Sequence, residues 1–460
     1  MTTSEERFLA ACRRQDVDTT PVWFMRQAGR CLAEYRELRE KYDILTMTRT
    51  PELCAQVTMM PVEKFGVDAA VLYADIMLPL EGMGVPFQID PGVGPIIPNP
   101  VRTAEDVARL RVIDAEEATP YLFETIRGLR HQLAGKTALI GFAGAPFTVA
   151  SYMIEGRPTK DFGKAKALMY GQPGVWHELM ETLAEVTTRY LKAQVEAGVQ
   201  VVQLFDSWVG ALGRLEYEAY VLPHTRRIFQ GLNDLLVPLI HFGTGATHLL
   251  EPMARAGCDI VSVDWRLPLD QAWDRIGRDR GIQGNLDPTV LVAPWPVIER
   301  EARRVLEFAG NENGHIFNLG HGVLADTPAD NLTRLVELVH EVAARPEQPE
   351  PEITFASPTR PYQRLTLVQP ATPGAQPAGE TEPDAEHPES EGHQRELEPT
   401  EPEPVVQQPE PEATPTAEQW PRVRPAIVRP APPGFGERWR GRESPEVDDA
   451  SPPKPELPKP

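Results

Sequence analysis

Through its first 345 residues the chain alternates short apolar runs with longer stretches of helical periodicity. Eight apolar runs stand out: Pro21–Met25, Ala69–Ala74, Ala138–Phe142, Val199–Phe205, Val237–Phe242, Asp259–Val263, Gly281–Gly284 and His315–Leu319. Each has the length and the β-branched or aromatic content of a buried strand. Between them lie amphipathic segments such as Trp176–Ala197 and Asn331–Ala344. In the second, Leu332, Leu335, Val336 and Val339 recur at the spacing that lines one face of a helix.

Eight strands, each followed by a helical segment, predict an α/β fold of the (β/α)8 TIM-type barrel class, which at this size is one domain. The polar residues sharpen that reading. Each run stays apolar and then ends in something reactive or conformationally special. Run one leads to Arg26 and Arg30, run two to Asp75, run three to a glycine-rich turn and Tyr152. Run four ends in Asp206 and Ser207, run six in Asp264 and Arg266, run seven in Asn285 and Asp287, run eight in Asn318 and His321. In a barrel all C-terminal strand ends share one rim, so these scattered residues are expected to face one cavity.

The hexapeptide Met25-Arg26-Gln27-Ala28-Gly29-Arg30 is the densest of these signals. A guanidinium is a permanent charge whose planar fork of donors fits a carboxylate. Two such forks beside small residues suit a ligand with several carboxylates. The competing structural reading pairs Arg30 with Glu34 and leaves Arg26 in water. In Tyr73-Ala74-Asp75-Ile76 a carboxylate closes an apolar run; it caps a helix, pairs with an arginine, or accepts several N–H groups of one ligand. Gly141–Thr148 allows close backbone approach, and Tyr152 follows it. Ser207 lacks the G-x-S-x-G elbow of a nucleophile and reads as a hydrogen-bonding contact. His241–Gly245 completes neither phosphate-loop spacing. His321 sits between two glycines at a strand exit, a setting that favours a ligand contact over a core histidine. No histidine and cysteine set has zinc-site spacing.

Composition narrows the classes. The net charge of −21 argues against nucleic-acid or anionic-membrane binding, so any polyanion site must be built from local arginines. Four scattered cysteines without a C-x-x-C read as reduced thiols of a cytoplasmic protein. The polar start Met1–Arg7 does not resemble a signal peptide. The uncharged stretch Thr137–Ile154 has the length of a membrane span, but its glycines and Pro146 favour strand, loop and helix start. Composition breaks near Arg345. About 27 of the 48 prolines lie beyond it, and acidic residues there outnumber basic ones about two to one. Such a segment cannot bury enough apolar area to offset its ordering entropy. Residues 346–460 are therefore expected to be a disordered, extended, acidic Pro/Glu-rich tail, with residues 1–345 the folded domain.

Taken together, Met25–Arg30, Gly141–Gly156, Leu204–Gly210, Gly281–Pro288 and His315–Pro328 resemble the uroporphyrinogen decarboxylase family, five motifs in order across residues 4–345. The resemblance implies a (β/α)8 barrel that removes CO2 from the four acetate side chains of uroporphyrinogen III, giving coproporphyrinogen III for haem and chlorophyll synthesis. It implies no cofactor, no metal and a homodimer with facing active-site mouths. Carried over residue by residue, it has Arg26, Gln27, Ala28, Gly29 and Arg30 lining the substrate, Asp75 binding the pyrrole N–H groups, and Tyr152, Ser207 and His321 completing the contacts. Arg39 is a further carboxylate partner. Arg26, Arg30 and Asp75 carry the catalytic expectation, with an arginine, a water or another group as the proton donor. Cys31 departs from the pattern, which has an aromatic there. Two alternatives remain. A methyltransferase branch shares the barrel but resembles zinc proteins with a His-x-Cys pair, whereas His241 is followed by Phe242 and Gly243. A non-catalytic scaffold whose tail recruits partners is the other.

Overall fold

Residues 2–345 are described by the computed structural model; the expectation of a disordered tail over 346–460 lies outside the described residues. In chain order the strands are β1 (Ala69–Val71), β2 (Gln88–Asp90), β3 (Gly94–Ile96), β4 (Ala138–Gly144), β5 (Val201–Asp206), β6 (Leu239–Gly243), β7 (Ile260–Ser262), β8 (Gly281–Leu286) and β9 (His315–Leu319). Seven of them form one curled parallel sheet in the order β1-β4-β5-β6-β7-β8-β9. Its register runs from Ala69 opposite Ala138 to Ile282 opposite His315. Strands β2 and β3 form a separate antiparallel pair that the sequence pattern did not announce, because each has only three residues and none is buried.

The first expected strand, Pro21–Met25, is reduced to a single parallel bridge between Val22 and Phe317 of β9. The reason lies in its backbone donors. Pro21 has no N–H. The N–H of Val22 is taken by the Asp68 carboxylate at 2.8 Å, that of Phe24 by Gln27 Oε1 at 3.0 Å, and that of Met25 by Asn318 Oδ1 at 3.1 Å. Side chains take three of the segment's donors, and only the Trp23 N–H goes to β9, at 3.3 Å from the Phe317 carbonyl. On its other side the Asp68 N–H donates to the Val22 carbonyl at 2.8 Å, just before β1. The two edges of the sheet thus meet across Pro21–Trp23, and the barrel closes through this eighth segment.

Helices cover the outside where the pattern placed them. Trp176–Ala197 lies within the helix Pro173–Ala197, and Asn331–Ala344 overlaps Ala329–Val342, with Leu332, Leu335, Val336 and Val339 all buried. The uncharged stretch Thr137–Ile154 becomes β4, a tight turn and the helix Pro146–Glu155, which begins on proline and ends at left-handed Gly156. Among the described residues no helix is long and apolar enough to cross a membrane. Cys12, Cys31, Cys54 and Cys258 are buried and unpaired.

Inside the barrel a buried polar chain forms a floor. The Trp23 indole N–H donates to Gln283 Oε1 at 2.9 Å, and Gln283 Nε2 donates to Gln203 Oε1 at 3.0 Å and Ser262 Oγ at 2.8 Å. It joins the first segment to β5, β7 and β8 by directional contacts, which fix the packing more specifically than apolar burial alone.

The closure centres on Asp68, fully buried, which also accepts from Arg7 Nη1 at 2.7 Å and faces His340 Nε2 at 2.8 Å. Removing one partner of a buried ion pair leaves the other uncompensated. Asp68→Ala is expected to cost about 3–5 kcal/mol in chemical denaturation; a loss below about 1 kcal/mol, the range of exposed pairs, would contradict this account.

Candidate active site

One cavity of about 280 Å³ opens among the residues that follow the C-terminal strand ends. Arg26, Ala28, Asp75, Tyr152, Ser207 and His321 all line it. They come from the first segment, the exit of β1, the helix after β4, the exit of β5 and the exit of β9. Convergence on one rim is the outcome the strand-end pattern implied.

The hexapeptide divides its labour in a way its sequence did not show. Arg26 has φ 59°, in the left-handed region, which turns the chain and directs its side chain into the cavity. Its stem runs past Gly322. A Cβ at Gly322 would come within 2.4 Å of Arg26 Cδ, and one at Gly320 within 2.5 Å of the Trp265 backbone nitrogen. Both glycines flanking His321 are therefore demanded by close approach. Gln27 is fully buried; its amide accepts from Phe24 N–H and donates to the Ala69 carbonyl at 3.0 Å. It is a rung between the first segment and β1, not part of the lining. Gly29 is not on the lining either, being packed under the Arg26 carbonyl. Arg30 is exposed outside the lining, and its carbonyl accepts from Arg36 at 2.8 Å. The expected alternative of an Arg30–Glu34 pair is absent from the described residues, where Glu34 pairs with Lys64. Arg39 donates to the Tyr42 carbonyl, away from the cavity.

The cavity holds one charge of each sign that is not spent on an ion pair. Neither Arg26 nor Asp75 enters an ion pair among the described residues. Burial raises the Asp75 carboxyl above its ordinary range, opposed by the Met77 N–H, which it accepts at 2.9 Å, and by the charge of Arg26. Tyr152 is likewise held protonated, mainly by burial and also by the Asp75 charge. His321 is pushed down to about 4, first by burial and then by Arg26, against the opposing pull of Asp264. Its Nδ1 accepts the Gly322 N–H at 2.7 Å. That hydrogen bond selects the neutral tautomer with Nε2–H as the donor.

Asp206, Asp264, Arg266, Asn285, Asp287 and Asn318, also expected at the rim, lie off the lining and bond within the protein instead. Asp264 pairs with Arg266, Asn285 donates to the Asp264 and Leu267 carbonyls, and Asp287 caps Thr289. The sequence reading also passed over the apolar walls. Phe142 and Phe205 meet edge-on at 5.2 Å, Ile76 faces the same space, and Pro95 reaches in from β3. The signal for Phe205 was available, since it directly precedes Asp206 and Ser207 at a strand exit. No signal marked Pro95, because its strand was not foreseen. Among the described residues no three His, Cys, Asp or Glu side chains gather as metal ligands.

Residues 3–342 match the family model described as uroporphyrinogen decarboxylase (URO-D). The chain is 55% identical over 339 residues to the uroporphyrinogen decarboxylase of Carboxydothermus hydrogenoformans, covering 74% of this chain and 97% of that protein. It is 53% identical over 347 residues to that of Sorangium cellulosum, covering 75% of this chain and 99% of that protein. A methyltransferase from Methanosarcina mazei shares the fold, with a TM-score of 0.61 and 21% identity over 74% of this chain and 99% of that one. Barrel, rim and relatives agree, and the chain belongs to the uroporphyrinogen decarboxylase family.

Proposed function

We propose that this chain removes CO2 from the four acetate side chains of uroporphyrinogen III, giving coproporphyrinogen III, and that it does so without a cofactor. The observation that carries the reading is a carboxylate, Asp75, and a guanidinium, Arg26, lining one cavity, neither of them in an ion pair among the described residues.

Decarboxylation needs somewhere to put an electron pair. Many enzymes take that sink from a cofactor. An electron-rich pyrrole becomes its own sink once a ring carbon is protonated. The ring is then a cation, the bond to the carboxylate breaks, and its electron pair flows into the ring as CO2 leaves. A proton on the resulting exocyclic methylene and loss of the ring proton give the methyl group and restore the pyrrole. Asp75 under the ring N–H groups stabilises the cation more than the neutral ground state, which is the difference that accelerates the step. Burial opposes its ionisation. N–H donors and a developing positive charge reverse that opposition.

Arg26 holds substrate carboxylates, against the long-range repulsion of a chain carrying −21. A permanently charged guanidinium suits anchoring rather than proton delivery. His321 donates through Nε2–H as a neutral group, so it orients an acceptor without adding charge opposite Asp75. Tyr152 and Ser207 supply hydroxyls on the far wall. Gln27, Gly29 and Arg30 lie off the cavity lining. The same reading takes in a homodimer with facing cavity mouths and a cytoplasmic location, on the ground of the family.

Anaerobic incubation with uroporphyrinogen III should give stepwise products with fewer carboxyl groups, and no turnover would sink the reading. Asp75→Asn keeps an acceptor and removes the charge. It should fold normally and lose roughly 10²–10³-fold in kcat; near wild-type turnover would remove Asp75 from its role. Nitrogen-15 NMR should find the His321 ring neutral through the ordinary histidine range and titrating at about 4. Because the folded state resists that proton, stability should decline as pH falls from about 6.5 toward that value. We also assign the activity to residues 1–345, so truncation after Arg345 should leave kcat unchanged; loss of turnover would favour a working role for the tail.

A further inference from the structure

Ser207 and Tyr152, two of the hydroxyl-bearing residues that line the cavity, come from different elements, and one buried side chain ties those elements together. Thr148 lies on the helix Pro146–Glu155, one turn before Tyr152. Its hydroxyl donates to Asp206 Oδ1 at 2.8 Å and accepts the Trp208 N–H at 3.2 Å. Ser207 sits between those two residues, so a single hydroxyl grips the chain on both sides of it. The Trp208 ring then packs edge-on against Tyr152, with centroids 6.0 Å apart. A closed loop results: Thr148 to Asp206, Ser207, Trp208, Tyr152 and back along the helix.

The arrangement is poorly explained by stability. Asp206 is fully buried, and its Oδ2 has no hydrogen-bond partner; His241 Nε2, 3.9 Å away and equally buried, has none either. A buried carboxylate with an unsatisfied oxygen is costly. An apolar contact between the strand exit and the helix would avoid that cost. What the charge adds is direction: it orients the Thr148 hydroxyl hydrogen toward Asp206, leaving the oxygen's lone pairs for Trp208 N–H.

We propose that Thr148 and Asp206 are positioning residues that hold Ser207 and Tyr152 in one mutual register, so that the macrocycle is kept in one orientation over Asp75 as each acetate reacts. The inference rests on the reading given under Proposed function. Thr148→Val matches the shape and removes the hydroxyl, whereas Thr148→Ser keeps it. A misplacement on the order of 1 Å at a reacting site costs up to about 10²-fold. Thr148→Val should therefore lose roughly 10- to 100-fold in kcat, with a much smaller change in KM, and accumulate partly decarboxylated intermediates. Thr148→Ser should restore kcat and the product pattern. Amide hydrogen exchange reads the same lock without substrate: the Trp208 N–H should exchange faster in Thr148→Val and stay protected in Thr148→Ser, at similar global stability. Faster Trp208 exchange with wild-type kcat and product pattern would overturn the positioning role. Equal losses in both variants, or unchanged Trp208 exchange in Thr148→Val, would overturn the lock itself. Failure of the unmodified chain to turn over uroporphyrinogen III would instead sink the functional reading and leave the exchange result to decide the lock.

Discussion

A buried carboxylate holds the barrel shut. Asp68 accepts the Val22 N–H, receives Arg7 from the first helix and faces His340 from the last. Three parts of the chain separated by up to 333 residues meet on one side chain. Pro21–Met25 offers β9 only one bridge, so the Asp68 carboxylate adds a side-chain tie to the few backbone bonds that join the sheet's two edges. Burying an ion pair is a weak route to stability, but it selects one geometry over near alternatives. Here the selected geometry sets where Arg26 leaves the barrel. Every backbone donor from Val22 to Met25 with a described acceptor is anchored, so the left-handed turn at Arg26 begins from a fixed point.

The cavity above this closure is built by leaving charges unpaired where others are spent. Arg266, on the same rim, is paired with Asp264, and Arg7 is shared between Asp18 and Asp68. Arg26 and Asp75 enter no ion pair among the described residues. Around them the titratable groups are held in their neutral forms, Tyr152 by burial and His321 by burial together with Arg26. The result is one positive and one negative group among neutral donors and aromatic walls. A polycarboxylate that becomes cationic at its centre finds a complementary partner for each sign of charge.

Small residues make this crowding possible. Gly320 and Gly322 let the His321 turn pass between Trp265 and the Arg26 stem, and neither position has room for a methyl group without movement. Polar side chains also replace secondary structure. Gln27 spans the gap between Phe24 and Ala69 that a strand ladder would fill, and the Thr148 hydroxyl does the same between Asp206 and Trp208.

The amino-acid order by itself determined the alternation of strands and helices, because periodicity is a local consequence of which residues avoid water. It also determined that reactive residues follow strand ends, and so that Arg26, Asp75, Tyr152, Ser207 and His321 share a rim. β9 matches its apolar run residue for residue, and the helix faces of Leu332 to Val339 were legible for the same reason. Only the tertiary structure decided which way each side chain turns. Gln27 and Arg26 are neighbours in one motif, yet a positive φ sends one to the cavity and its neighbour to the core. Nothing local announces that a buried carboxylate will take Val22's N–H, so a strand was expected where one bridge exists. The short strands β2 and β3, with half-exposed residues, carried no alternation to read. Side-chain direction and hydrogen-bond partnership depend on residues far away in sequence, and only folding brings those residues into contact.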